Sequence, residues 1–524
     1  MRSHFGGVSL SILLCVLITA CGSSSSSTTS NPKVQTTGSG SDTDVADSVS
    51  AMEVGDLYYV TFDSTGAASI DFNGDSSSAE YELIVQSTNS LSSSVQIASA
   101  NISKNTAQDF DSFLRQSEVN LAENLAPANP PKTSLLSKSI SKAVGDTASF
   151  KVLSSIVSTT SYTTVTGAVR CVEDHIIVYV DEDVSADNLS DADIETLCSQ
   201  FEYAAAIEEQ TFGSPSDVNG DGHVVTLITP AVNALGASGG GIITGYFYAT
   251  DLFASSGSNP TSNEMEIIYI LAPDPEGDYG TAITKEFAMS NLMPAVVPHE
   301  LQHAISYNQH VFINDSSSED DWLNEALSHF AEDFVGFGQE NPSRIEVYFE
   351  ETESVSLAPG SSPDLAERGA EYLFIKYLYE RVSDQNAFLA SLVNTTNTGK
   401  DNIVAAFGGA DSGFDEWGEF MRRWAIAMAL TDTGISSTAQ YQFNSPVWNS
   451  TTSHWQGICL ICDTEDGRGT ILYGPNITEL AGSSLNLSLA GTATAFYSIS
   501  SPPSTISLSG NSSAGLQGAL IRTE

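Results

Sequence analysis

The sequence predicts an α+β body flanked by N- and C-terminal β domains, and three observations carry the prediction. Strand and helix patterns alternate from residue 143 to about 280, and helical periodicity dominates from there to about 430. Short alternating segments rich in Ser, Thr and Gly stand at both ends. At 524 residues the chain exceeds a single ordinary core. Its 65 acids against 19 Lys plus Arg give a formal net charge of -46, yet 41% of residues are hydrophobic, so it folds and presents an anionic surface. That sign repels phosphate backbones, which excludes nucleic acid as a partner and makes cations natural ones. The chain is read as a monomer.

Residues 1–20 carry the marks of an export signal: Arg2, then an apolar run from Val8 to Ala20 that is too short to span a bilayer. The run Leu17, Ile18, Thr19, Ala20, Cys21, Gly22 resembles a bacterial lipobox, which implies a lipidated Cys21 and anchorage to the outer membrane. Residues 21–50 are rich in Ser, Thr, Gly and Asp without apolar periodicity and read as a flexible tether. Export places the remaining cysteines in an oxidising compartment. Clustering pairs Cys171 with Cys198 and Cys459 with Cys462, although four cysteines allow three pairings.

The N-terminal β domain and its linker span residues 51–142. Leu57–Phe62, Ala67–Phe72 and Tyr81–Gln86 alternate as antiparallel strands. The stretch from Asp109 to Val144 holds Pro127, Pro130 and Pro131 and reads as a domain junction. The body, residues 143–435, opens with strands at Ile176–Val180, Val224–Ile228 and Glu266–Leu271 and a helix over Asp191–Glu209. Helices are expected at Pro298–Gln309, Asp321–Gly336, Glu367–Val382 and Phe414–Leu430. Residues 436–524 return to short apolar runs such as Leu485–Leu489 and Ala495–Ile499, a second β domain.

The chemistry concentrates in Pro298, His299, Glu300, Leu301, Gln302, His303. Pro298 suits the first turn of a helix, where its missing N–H costs nothing. On that helix His299 and His303 share a face, about 6 Å apart at the backbone, and can hold one metal ion. Glu300 projects about 100° round from His299, beside the metal. A hydrolytic zinc site needs a third protein ligand and an open position. Leu323, Leu327, Phe330 and Phe334 form the apolar stripe of the next helix, and Glu325 lies on its other face as the natural third ligand. A lone His pair on a helix is more often structural; Glu325 at this distance and in this context argues for a site.

His299-Glu-Leu-Gln-His303 followed by Asn324-Glu-Ala-Leu-Ser-His329 resembles the gluzincin metallopeptidases, and the surrounding sequence is most similar to the hyicolysin family. The likeness covers roughly residues 143–435. It implies a thermolysin-like domain, a mixed sheet joined to a helical zinc-binding half, that hydrolyses peptide bonds in peptide or protein substrates. Zinc on His299, His303 and Glu325 would acidify water and polarise the scissile carbonyl, and Glu300 would act as general base. One departure stands out: thermolysin-like enzymes carry Asp four residues after the glutamate ligand, and here that position is His329. Glu332, one turn on, is the candidate replacement, and Tyr372, His329 and Tyr307 are candidates for stabilising the oxyanion.

Two further readings remain. Asp217, Asn219 and Asp221, followed by Gly222, reproduce the first half of a calcium loop, but Ile228 stands where the last ligand of an EF-hand would be. Asn263–Leu271 is a candidate edge strand for a peptide to lie against, or an ordinary core strand. The rival to an exported endopeptidase is a surface adhesin or binding lipoprotein, with the β domains active and the zinc body vestigial.

Overall fold

Three N-terminal strands, β1 (Leu57–Thr61), β2 (Ala67–Asp71) and β3 (Glu80–Ser87), form where alternation predicts them, and two short helices follow, α1 (Phe110–Glu118) and α2 (Leu121–Asn124). Next come β4 (Thr147–Leu153), β5 (Tyr162–Val172), β6 (Ile176–Asp181), α3 (Asp191–Phe212), β7 (Val224–Ile228), α4 (Pro230–Ser238), β8 (Gly245–Phe247) and β9 (Ile267–Ile270). The helical half comprises α5 (Lys285–Phe287), α6 (Met293–Tyr307), α7 (Asp321–Val335), α8 (Asn341–Glu350), α9 (Leu365–Arg381), α10 (Gln385–Val393), α11 (Gly399–Gly409) and α12 (Trp417–Leu430). The chain ends in β10 (Val447–Asn449), β11 (His454–Gln456), β12 (Ile477–Glu479), β13 (Ser484–Asn486), β14 (Thr494–Ser500), β15 (Thr505–Ser509) and β16 (Leu516–Arg522).

The computed structural model describes residues 45–73, 78–90, 110–119, 121–125, 142–360, 363–409, 416–461 and 472–524. The export signal, Cys21, most of the tether and the Cys462 half of the second expected disulfide lie outside the described residues. The end of the expected tether is part of the fold instead. Val45 bridges to Leu57, and Val49 and Met52 are buried in the core of the first strands, because apolar side chains at this spacing find a sheet to cover. Among the described residues, no helix is long and apolar enough to cross a membrane.

The two expected β domains are one. A five-stranded sheet runs β1-β16-β3-β14-β12 and a three-stranded sheet runs β13-β15-β2, so strands from both ends of the chain share both sheets. β3 pairs antiparallel with β14 on one side and β16 on the other. Its residues alternate between two cores, as strand geometry requires. Tyr81, Leu83 and Val85 pack with Ile70, Ile499, Ile506 and Leu508 between the sheets. Ile84 faces the body's core, where Phe496, Ala519 and Ile521 join it, and Gln86 Nε2 donates to the Met421 carbonyl of α12 at 2.9 Å. A strand buried on both faces reads as a continuous apolar run, which hides which partner lies where.

The body is mixed α and β. Its six-stranded sheet has the order β4-β5-β6-β7-β9-β8, with β6, β7 and β9 parallel and the outer strands antiparallel. β9 is therefore interior, and β8 is the edge strand rather than the Asn263–Leu271 segment. Val-rich β6 and β7 are buried throughout, as parallel strands covered on both faces must be. The Cys171–Cys198 disulfide ties β5 to α3, the pairing that clustering favours.

The expected junction after Asp109 contains a packed helix. In α1, Phe110 and Leu114 stand four residues apart and are buried in the body's core. The zinc-motif helix also departs from expectation: α6 starts at Met293, so Pro298 lies inside it rather than in its first turn, and Pro294 holds that place. Pro298 lacks the N–H that would bond the carbonyl of Pro294. The turn persists because Met293, Val296 and Val297 are buried and hold it in the core. α7 ends at Gly336, whose φ of 94° is the left-handed cap that favours glycine.

Candidate metal centre

α6 and α7 pack against each other, and their facing residues meet in a polar cluster inside the helical half. Helical periodicity puts His299 and His303 on the face of α6 that meets α7, where Glu325 stands one turn inside the helix. One ligand atom each from His299, His303 and Glu325 lies within 4.8 Å of the others, and all three residues are buried. Glu325 Oε2 is 3.6 Å from His299 Nε2, and its Oε1 is 3.5 Å from His303 Nε2. Neither carboxylate oxygen has a hydrogen-bond partner. Arg368 is an ion-pair partner, but two buried carboxylate oxygens without hydrogen bonds between two imidazole nitrogens form an arrangement that a bound cation would complete. The expected ligand set is brought together, and the residues fit a metal ion.

The outer partners orient each ligand. Glu332 Oε1 accepts from His299 Nδ1 at 2.8 Å and from His329 Nδ1 at 2.9 Å. His303 Nδ1 lies 3.1 Å from the Asn324 side-chain oxygen and 3.1 Å from Ser328 Oγ, and Ser328 donates to Gln302 at 3.0 Å. With each Nδ1 engaged, both Nε2 atoms are left facing Glu325. Burial pushes the His299 imidazole down to about 3, so it is neutral, the form that binds metal. Burial alone would raise the Glu325 carboxyl, but it is held well below the usual carboxylate range, with the charge of Arg368 the largest opposing influence. Arg368 Nη1 sits 3.6 Å from Glu325 Oε2.

Glu300 is held from the sheet: its Oε2 accepts the Phe247 amide of β8 at 2.8 Å. Burial, and then the Asp111 carboxylate, push its carboxyl well above the ordinary range. A cavity of about 180 Å³ opens on the cluster, lined by His299, Glu300, His329 and Glu332 together with Asp111, Arg344 and Arg368. A larger cavity, about 500 Å³, is lined by Asp181, Glu182, Asp183 and Tyr279 and shares no residue with it. Size is therefore no guide to the chemistry here.

Of the three candidate oxyanion donors, only His329 reaches this cavity; Tyr307 and Tyr372 are buried and do not line it. Tyr307 packs edge-on against Phe253 and Phe312. His329 commits its Nδ1 hydrogen to Glu332, and burial pushes its imidazole down to about 3, so Nε2 is an acceptor rather than a donor. Arg344 and Arg368, which sequence reasoning missed, are the cations lining the cavity. Their one signal was scarcity: each is an arginine within a helix of a chain with only 19 basic residues. Asp111 and Arg115 were missed because they precede the body in sequence.

The acidic loop satisfies itself. Asp217 Oδ1 accepts the Gly222 amide at 3.1 Å, Asp221 Oδ1 accepts that of His223 at 3.0 Å, and Asn219 donates to Asp221 Oδ2 at 2.9 Å. Among the described residues, the groups of three acids, histidines or cysteines within metal reach are His299, His303, Glu325 and His299, His329, Glu332; the loop supplies neither.

No protein-family model matches the chain, and no curated protein is significantly similar to it. The buried His, His, Glu group that could hold a metal ion is thus established by its own geometry.

Proposed function

We propose that this protein is an exported, zinc-dependent endopeptidase of gluzincin type with a thermolysin-like catalytic body, tethered to the bacterial outer membrane through a lipid on Cys21. One observation carries the catalytic part: both oxygens of the buried Glu325 carboxylate lack hydrogen bonds and face His299 and His303 across gaps of 3.6 and 3.5 Å. The set of two nitrogens and one carboxylate, with no cysteine, suits a hydrolytic zinc site better than a structural one.

His299, His303 and Glu325 would hold the ion. When bound, zinc supplies Lewis acidity, polarising a scissile carbonyl and acidifying water. Glu300, one position after the first ligand, would take the proton from the attacking water and deliver it to the departing amine, acting in the ionised form that the charge of a bound cation favours against the burial that raises it. The Phe247 amide fixes the direction of its carboxylate. Arg368 keeps Glu325 ionised, and Glu332 sets the His299 tautomer. Arg344 and Arg368 provide positive charge in the cavity where a substrate oxygen would become negative.

The test compares the parent chain with Glu300→Gln for zinc content and for hydrolysis of an unfolded protein. Both should bind one zinc, with the variant slower by on the order of 10²–10⁴-fold, the usual worth of a general base. Equal cleavage by the two zinc-loaded chains, or no stoichiometric zinc in either, would sink the reading.

A further inference from the structure

We propose that α1 is an autoinhibitory plug: it covers the open edge of β8 and sets the Asp111 carboxylate into the metal cavity. The inference concerns regulation of the proposed peptidase site and rests on that reading.

β8 pairs on one side only, with β9, in the register Gly245 to Ile270, Tyr246 to Tyr269 and Phe247 to Ile268. The Leu271 amide bonds the Thr244 carbonyl. By antiparallel alternation, the N–H and C=O of Phe247 then point away from β9, towards the open edge. An extended peptide adding to this edge would pair with main-chain groups of this kind. Both are taken. The Phe247 amide donates to Glu300, and its carbonyl accepts from Arg115 Nη2 of α1. Just beyond the strand, the Ala249 amide donates to Glu118 Oε1 of α1 at 2.7 Å.

The rest of α1 fits the same purpose. Arg115 and Glu118 pair with each other at 3.2 Å, each only 3% exposed. A helix kept for packing alone needs only Phe110 and Leu114, whereas a buried ion pair is expensive to desolvate. This pair is directed at the main-chain groups of the sheet edge. At the start of the helix, Asp111 lines the cavity with His299 and Glu300, and its Oδ2 lies 3.5 Å from Arg368 Nη1. Phe110 anchors it edge-on against Tyr246, with ring centroids 5.4 Å apart. One short helix thus occupies the strand edge and one of the cavity's cations, two features a bound peptide would use. In sequence α1 lies between β3 of the sandwich and β4 of the body, so it can be displaced without breaking the six-stranded sheet.

The test uses the zinc-loaded full chain and two variants. Arg115→Met with Glu118→Met removes both hydrogen bonds from α1 to β8 and its flank while nearly keeping side-chain volume. Asp111→Ala removes only the carboxylate at Arg368, and because Asp111 is partly exposed it spares the packing should the double variant fail to fold. Hydrolysis of an unfolded protein, the rate at which a chelator strips zinc, and the melting temperature are read for each. Release of the plug should raise hydrolysis on the order of tenfold and speed zinc loss, with melting showing a folded chain. Folded variants that cleave no faster than a parent that already cleaves, and lose zinc no faster, would overturn the plug and leave the peptidase reading intact. If no chain cleaves while all hold zinc, the peptidase reading fails, and the chelator rates alone decide whether α1 covers the site.

Discussion

Glu332 Oε1 accepts a hydrogen bond from His299 Nδ1 at 2.8 Å. The carboxylate that orients the first histidine thus comes from the helix turn after the position where thermolysin-like sequences place it. Removing an outer partner of a metal-ligating histidine typically costs 10–100-fold in affinity or activity. Glu332→Ala should weaken zinc binding by about that factor, measured by competition with a chelator, while Asp321→Asn, also on α7, should not.

Arg368 is the buried cation that holds Glu325 ionised. Arg368→Met should destabilise the metal-free chain by about 3–5 kcal/mol, the cost of leaving a buried charge unpaired. A bound cation replaces that partner, so the loss should shrink when zinc is present. Thermal melts with and without zinc check this; equal losses in both would separate Arg368 from the metal site.

The acidic composition has a consequence for stability. Burial raises Glu82 to about 8, Asp251 to about 7, Glu266 to about 7 and Glu319 to about 8. An acid raised on folding keeps its proton in the native state after the unfolded chain has lost it. Its stability contribution is whole below the unfolded value, 4.5 for the glutamates and 3.8 for Asp251, declines as pH rises, and for Glu82 is gone above about 8. Glu82 Oε1 has no partner, so Glu82→Gln should abolish its share of the decline. The variant should melt like the parent at pH 4.5 and higher than the parent at pH 8.5.

β3 has β14 on one side and β16 on the other, both from the last residues of the chain. Ending the protein at Thr492 removes β14, β15 and β16 and leaves β3 without a partner among the described strands. Hydrogen exchange should then show Leu83 and Val85 unprotected, whereas two independent β domains would leave the N-terminal strands protected.

Much of the site was legible because its geometry is local. His299 and His303 share a face through the helical repeat, Glu300 follows from the same repeat, and Glu325 stands off the apolar stripe of Leu323, Leu327 and Phe330. Glu332 was legible as the residue one turn on. The Cys171–Cys198 pair could be guessed from clustering, although sequence left other pairings open. Pro298 misled because its most common place in a helix is not its only one, and burial of Val296 and Val297 outweighs the missing hydrogen bond.

The sequence by itself determined the two helices that carry the cluster and which three side chains could share a metal, since spacing along one or two helices suffices for both, whereas α1 was read as a junction. Only the tertiary structure decided that the first and last strands build one sandwich, that β8 is a sheet edge, and that Asp111, Arg344 and Arg368 converge on the cavity. Those relations join residues far apart in sequence: Gln517 pairs with Gln86, and the Phe247 carbonyl accepts from Arg115. A strand buried on both faces or a lone buried charge carries no mark of its partner, because burial depends on how separate elements pack.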